Sequence, residues 1–243
     1  MILRRISANF RRQDWWAVGV ELVVVVLGVF IGLQASNWNE DRQIDARSAD
    51  FTQRLRADLR FEAWSYAYEI AYIDDVLANA KRAADVLSGK TPLSDEALLI
   101  AGYRVTQYVF NSRRRASYDE LTSTGEIGLI RDPGLRGLAM DVYTVPVFAS
   151  IFDEGVNNPY RKAFRMALPY DVQQALATAC GDRVVMPGDY KGIAHSFDYP
   201  CASGLPPQVI ATNAAILRND PQFLQFLRLR IIEVGTNQDN LTL

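Results

Sequence analysis

The sequence predicts an all-α protein: one N-terminal transmembrane helix that continues into a periplasmic helical bundle, with an irregular loop at about 181–206. Three observations carry this. An apolar run from Trp15 to Leu33 holds a single charged residue, Glu21. No glycine or proline occurs between Gly32 and Gly89. Apolar residues beyond the run recur at steps of three and four, the helical period.

The N-terminal segment divides by chemistry into a basic tail (1–14), a span (15–36) and a polar helical stalk (37–50), followed by the domain proper (51–243). Trp16 to Trp38 covers about 33 Å of helix, close to the thickness of a bilayer's hydrocarbon core. Trp15 and Trp16 at one end and Trp38 at the other match the aromatic belts of a spanning helix. Arg4, Arg5, Arg11 and Arg12 precede the span against a lone Asp14, whereas Glu40, Asp41, Asp45 and Asp50 follow it. The positive-inside rule then places the N-terminus in the cytoplasm and the rest outside, in a bacterium across the inner membrane in the periplasm. A cleaved signal peptide is the rival reading. Cleavage after Ala35 would put the bulky Leu33 at the upstream recognition position, and Glu21 interrupts the apolar core.

Downstream of the span the chain is long enough for one sizeable core. Net charge is -2, so no basic excess points to nucleic acid. Cys180 and Cys201 are the only cysteines. In an oxidising compartment they are expected to pair, with two free buried thiols as the alternative. Zinc fits less well, because the short Cys-x-x-Cys step is missing.

The elements follow in order. One helix is expected from the membrane to about Ser88, with a stripe of Phe51, Leu55, Leu59, Ala63, Tyr66, Ile70, Ile73, Leu77, Ala80, Ala84 and Leu87 seeking a partner. Ser94 reads as an N-cap, with Asp95 and Glu96 favouring the helix dipole, for a helix reaching about Phe110. Ser117 to Glu120 has capping-box spacing and opens a short helix ending near Gly125. Asp132-Pro133 starts another, which Pro146 should kink or break. Short helices are expected at 159–167 and 170–180. Recurrent glycine and proline then mark the 181–206 loop, with room for a short hairpin. Helix returns at 207–217, and Asp220-Pro221 starts a last helix with Phe223, Leu227, Ile231 and Val234 on its apolar face. The first and last helices are expected to pack together.

The stretch from Glu21 through Gly28 and Gly32 to Leu33-Gln34, followed by Asn37-Trp38-Asn39-Glu40, resembles the opening of an uncharacterised bacterial family of single-span membrane proteins. That family typically shows a glutamate, an apolar run, glycine, Ile-Ala-Leu-Gln and Asn-Trp-Asn-Glu. Ser117 to Ile130 and Asp220 to Phe223 are also similar to family members. Gly32 departs from the usual alanine, and the Cys180–Cys201 loop has no counterpart. The resemblance implies an anchored periplasmic helical domain and brings no activity.

Candidate functional residues start in the span. Glu21, Val25, Gly28, Gly32 and Ala35 share one helix face, and Gly28-x-x-x-Gly32 is a small-residue step that lets two backbones approach. A carboxylate in a span ordinarily faces a partner or an aqueous cavity. Alternatively, Glu21 reaches the nearby interface. His195 with Asp189, Asp198 and Cys201 could form a loop metal site, though a solvated histidine explains it as well. Arg113-Arg114-Arg115 reads as a solvated helix end or an anion-binding triplet. Glu120 reads as a cap, and Asp74 and Asp75 point apart.

No catalytic residues and no cofactor are expected. The leading expectation is a non-catalytic membrane-anchored interaction or scaffold domain. Its expected partners are the lipid bilayer, a second copy through the span, and an envelope protein. The alternatives are an ion-coupled or sensory membrane subunit using Glu21, and a periplasmic enzyme using the 181–206 loop.

Overall fold

A computed structural model describes residues 15–110 and 112–242. The basic tail, with Arg4, Arg5, Arg11, Arg12 and Asp14, lies outside the described residues, as does the side chain of Trp15. Every regular element among the described residues is helical.

Helix α1 runs unbroken over Trp15–Leu87, 73 residues, about 110 Å at the α-helical rise. Its continuity follows from the absence of helix breakers between Gly32 and Gly89. Ten elements pack along its second half: α2 (Asp95–Val105), α3 (Ala116–Ser123), a 3-10 turn (Ile127–Leu129), α4 (Pro133–Thr144), α5 (Val147–Asn157), α6 (Pro159–Ala167), α7 (Tyr170–Cys180), α8 (Tyr190–Ile193), α9 (Pro207–Asn219) and α10 (Pro221–Thr242). The most extensive packing is between α1 and α10, followed by α1 with α2, which is the pairing of first and last helices that the sequence predicts.

Three apolar clusters succeed one another along α1. Nearest the N-terminal segment, Phe51 and Leu55 meet Tyr118, Leu121, Ile130, Ala139 and Tyr143. In the middle, Tyr72, Ile73, Val76 and Leu77 meet Val109, Ile151, Phe197 and Val234. At the far end, Ala80 and Ala83 meet α2, α6, α7, α9 and α10 around Leu98, Leu99, Phe164, Leu176 and Leu217. Gly155 admits close packing in α5, because a Cβ there would come 2.5 Å from the Cβ of Tyr108.

Several expectations are corrected. The α1 stripe holds at Phe51, Leu55, Ile73, Leu77 and Ala80, which are buried, but Ala63 is exposed, and Tyr66 and Ile70 are half-buried. The buried face also carries Glu62, Ser65, Glu69, Tyr72 and Val76. Three of these are polar, so the apolar pattern alone misses them. Helix α2 stops at Val105 instead of about Phe110. Its end is held from outside, where Arg161 donates to the Thr106 carbonyl at 2.5 Å and Arg230 to that of Gln107 at 3.4 Å.

Helix α3 begins one residue before Ser117, and no side chain of its own caps it. The Asp58 and Glu62 carboxylates of α1 accept from the Ser117 and Arg114 N–H groups instead. Glu120, expected as a cap, pairs with Arg54 at 2.6 Å. The turn after α3 uses Gly125 at φ 73°, where only glycine is unstrained.

Pro146 does break the chain, and a separate helix, α5, follows it. The apolar stretch Pro133–Ala167 therefore folds into the domain, burying Phe148, Ile151, Tyr160 and Phe164. Residues 181–206 form no hairpin; the short helix α8 and turns occupy the loop.

Other start signals match. Ser94 accepts from the Ala97 N–H and Asp132 from those of Gly134 and Leu135. Glu96 turns outward from α2 to accept from the N–H and hydroxyl of Ser203, at 2.8 and 2.6 Å. Those bonds hold its carboxyl below its usual value of 4.5. A depressed carboxylate stabilises the fold above the unfolded-state pKa and ceases to do so as pH falls through the folded value. Replacing Glu96 with glutamine is therefore expected to lower stability at pH 7. The gap to wild type should narrow steadily as pH drops below about 4.5. Urea titrations at a series of pH values check this, and a gap independent of pH would contradict it.

Candidate functional site

From Gly19 to Trp38, α1 is exposed along its whole length. The 18-residue window of highest hydropathy in α1 has a mean of 2.0 and none of it is buried. Leu22 and Ile31 are each 64 % exposed and Trp38 62 %. Nothing lies within 4 Å of a Cβ built on Gly28 or Gly32. Glu21, Val25, Gly28, Gly32 and Ala35 are all exposed and fall within a narrow arc at 100° per residue. A soluble monomer rarely exposes so large a continuous apolar surface. Trp16 at the start is 81 % exposed, and Arg42 covers the Trp38 ring at 4.4 Å.

The domain takes hold of α1 soon after Trp38. Asp45 pairs with Arg131, Arg47 with Glu126 at 2.6 Å, and the Ser48 hydroxyl donates to the Leu129 carbonyl at 2.5 Å. The distal part of the polar stalk is thus clasped by the 126–131 segment. Only about seven residues, roughly 10 Å of helix, separate Trp38 from the first of these contacts.

The basic triplet is solvated at Arg114 and Arg115, which are exposed, but not at Arg113. Arg113 reaches the Glu62 carboxylate at 2.5 Å, with side-chain exposures of 18 % and 1 %. The guanidinium N–H does not point along a hydrogen-bond direction, so the contact is ionic. Arg113 also donates to the Val142 carbonyl and lies 4.8 Å from the Phe148 ring centre. Arg114 covers Phe61, and Arg115 pairs with Asp119. Arg113 thus ties α4 and α5 to α1, Arg114 packs on α1, and the Arg115 pair stays within the start of α3.

Cys180 and Cys201 form a disulfide, with Cα atoms 5.5 Å apart. It joins the end of α7 to the end of the loop. Beside it, Asp198 pairs with Arg104 at 2.5 Å and Arg82 at 2.6 Å. Arg104, only 4 % exposed, also donates to the Tyr199 carbonyl. Asp75, whose carboxyl burial pushes up, accepts from the Asp198 N–H, while Asp74 accepts from Gln238. A cleft of about 350 Å³ opens here, lined by Asn79, Arg82, Arg104, Asp198 and Cys201 among others.

The proposed loop metal set is not brought together. His195 is exposed and lines none of the described clefts. Asp189 caps α8, Asp198 is ion-paired, and Cys201 is in the disulfide. Ser196 donates its hydroxyl to the Ile193 carbonyl. Among the described residues no group of three His, Cys, Asp or Glu side chains is placed to hold a metal.

Sequence reading missed the buried charges, Glu62, Arg104, Arg161 and Arg230. A faint signal exists for Glu62, which lies seven residues from both Leu55 and Glu69 on a single helix stripe.

Fold and site together define a class: a helical domain built along the C-terminal part of one long helix whose N-terminal part, residues 19–33, is apolar and exposed. No protein family, curated protein or solved structure matches the chain.

Proposed function

We propose that this chain is a single-span inner-membrane protein, N-terminus in the cytoplasm, whose periplasmic helical domain acts by binding and not by catalysis. The observation that carries the reading is the unbroken α1. Over residues 19–33 it exposes only apolar residues apart from Glu21, while its C-terminal half is the spine of the core. Removing the 19–33 stretch from water is strongly favourable at about 25 cal/mol per Å², and a bilayer supplies the apolar phase. The arginine-rich flank before the span and the disulfide after it agree on direction, since disulfides persist in oxidising compartments. The resemblance of the opening motif to single-span bacterial proteins points the same way.

Because α1 is one rod, a partner that engages the span also fixes the orientation of the domain. The Glu21, Val25, Gly28, Gly32, Ala35 face is where a second copy would seat, the two glycines allowing close backbone approach. An envelope protein held by the domain would complete a scaffold.

Two measurements test this. The intact protein should stay with membranes through carbonate extraction, and a reporter active only outside the cytoplasm should work when fused after residue 243. Release by carbonate, or a silent fusion in a stable protein, would overturn the location. Gly28→Leu should shift a self-associated species towards monomer in mild detergent, and an unchanged distribution would remove the seam. Glu21→Gln separates binding from ion coupling, because a binding role tolerates loss of the titrating group and a coupled one does not.

A further inference from the structure

The α2, α6 and α7 helices enclose a cleft of about 450 Å³, within the size range of small-molecule sites. Its lining differs in kind from that of the Arg104–Asp198 cleft, where the charges already satisfy one another. Phe164, 1 % exposed, and Tyr103, 9 % exposed, lie deep in it, and Tyr170, 79 % exposed, stands at the rim. Gln173, Gln174 and Arg165 supply the polar groups, and no carboxylate lines the cleft.

Several of these groups are without partners among the described residues. Arg165, exposed at the rim, makes no ion pair among the described residues, so its guanidinium is available to an anionic group. Gln174 and the Tyr103 hydroxyl make no hydrogen bond. Burial pushes the Tyr103 phenol up to about 12, so it remains a neutral donor at physiological pH. Gln173 donates to the Arg165 and Leu168 carbonyls at 3.0 and 2.6 Å. That pins the corner between α6 and α7 and leaves its amide oxygen as an acceptor.

We propose that this cleft binds an acidic saccharide, a sugar ring bearing one carboxylate. The exposed Tyr170 ring offers a flat apolar surface to the C–H face of a sugar. The amides of Gln173 and Gln174 and the Tyr103 hydroxyl supply donors and acceptors for its hydroxyls. Arg165 supplies the fork that receives a carboxylate. Absence of a carboxylate from the lining selects against cationic ligands.

Position along the rod argues for a soluble ligand and not a lipid headgroup. Tyr72 bonds to Asp182, just past the end of α7, and Tyr72 lies 34 residues beyond Trp38, roughly 50 Å along α1. The exclusion of a lipid headgroup rests on the membrane reading, while the cleft and its lining stand on the folded domain alone.

The test uses the full-length protein in mild detergent, titrated with sodium glucuronate and with glucose, which share a ring and differ at one carboxylate. Glucuronate should bind saturably in the millimolar range, about tenfold more tightly than glucose. Arg165→Gln should reduce glucuronate to the level of glucose and leave glucose unchanged. Tyr170→Ala should weaken both sugars. Arg165 and Tyr170 are surface residues outside the core clusters, so unchanged circular dichroism will verify folding. No saturable glucuronate binding by the folded wild type, or equal binding by wild type and Arg165→Gln, would overturn the proposal.

Discussion

Replacing Glu62 with alanine is expected to destabilise the domain by about 3–4 kcal/mol, the range for removing one partner of a buried ion pair. Two groups lose their acceptor at once. The Arg113 guanidinium, held between Glu62 and the Phe148 ring, becomes an uncompensated charge in a mostly desolvated site. The Arg114 N–H, 2.8 Å from the same carboxylate, is orphaned at the start of α3. The neighbouring rings of Tyr66, Tyr143 and Phe148 offset only part of this, since a cation–π contact contributes about 0.5–2 kcal/mol. For a domain of this size the loss corresponds to roughly 10 °C in Tm.

Glu62→Gln should lose less, because its amide oxygen can still accept from Arg114. Thermal and urea unfolding of the intact protein in detergent, followed by circular dichroism and by the fluorescence of the buried Trp64, gives both values. A shift below about 2 °C for Glu62→Ala would show that the pair is not a structural clamp. Arg113→Met distinguishes charge from packing. If it restores stability in the Glu62→Ala background, the stranded cation is the cause.

Removing the disulfide is the second large effect. The Cys180→Ser, Cys201→Ser variant should lose about 3 kcal/mol, the loop-closure value for a ring with 21 residues of separation. The native arrangement should survive, because the loop has other moorings. Tyr199 donates its hydroxyl to the Gly181 carbonyl at 2.7 Å, Ser203 is held by Glu96, and Asp198 by two arginines. The expected signature is a lower Tm with unchanged circular dichroism at 25 °C, and the same Tm in wild type after full reduction. A reduced wild type, verified by thiol labelling, that melts at the oxidised temperature would overturn the estimate. Arg104→Ala in the serine variant should cost more than in wild type, because both changes loosen the 198–203 segment.

Much of the helical layout was legible locally. The helices at 159–167 and 170–180, the Asp132-Pro133 and Asp220-Pro221 starts, and the unbroken α1 all depend on short-range rules: caps, breakers and proline at the first turn. The errors share a different cause. Helix α2 ends early because Arg161, on α6, takes its terminal carbonyl. Helix α3 starts early because carboxylates on α1 cap it in place of its own serine. Arg113 looked solvated like its two neighbours because its partner, Glu62, lies on another helix. Of the candidate sites, the span face and the cysteine pair were visible in sequence. The α2–α6–α7 cleft was not, since its walls come from segments separated by some 60 residues and share no motif.

The sequence by itself determined the apolar segment, the helical continuity of α1 and most element starts, because hydropathy, chain stiffness and capping are properties of neighbouring residues. Only the tertiary structure decided which charges are buried and with whom. Glu62 meets Arg113 from far along the chain, and Arg104 meets Asp198 across 94 residues. A buried charge is tolerable only where a partner from elsewhere in the chain arrives to meet it, an opposite charge for Glu62 and Arg104 and a backbone carbonyl for Arg161 and Arg230. No local periodicity encodes that meeting.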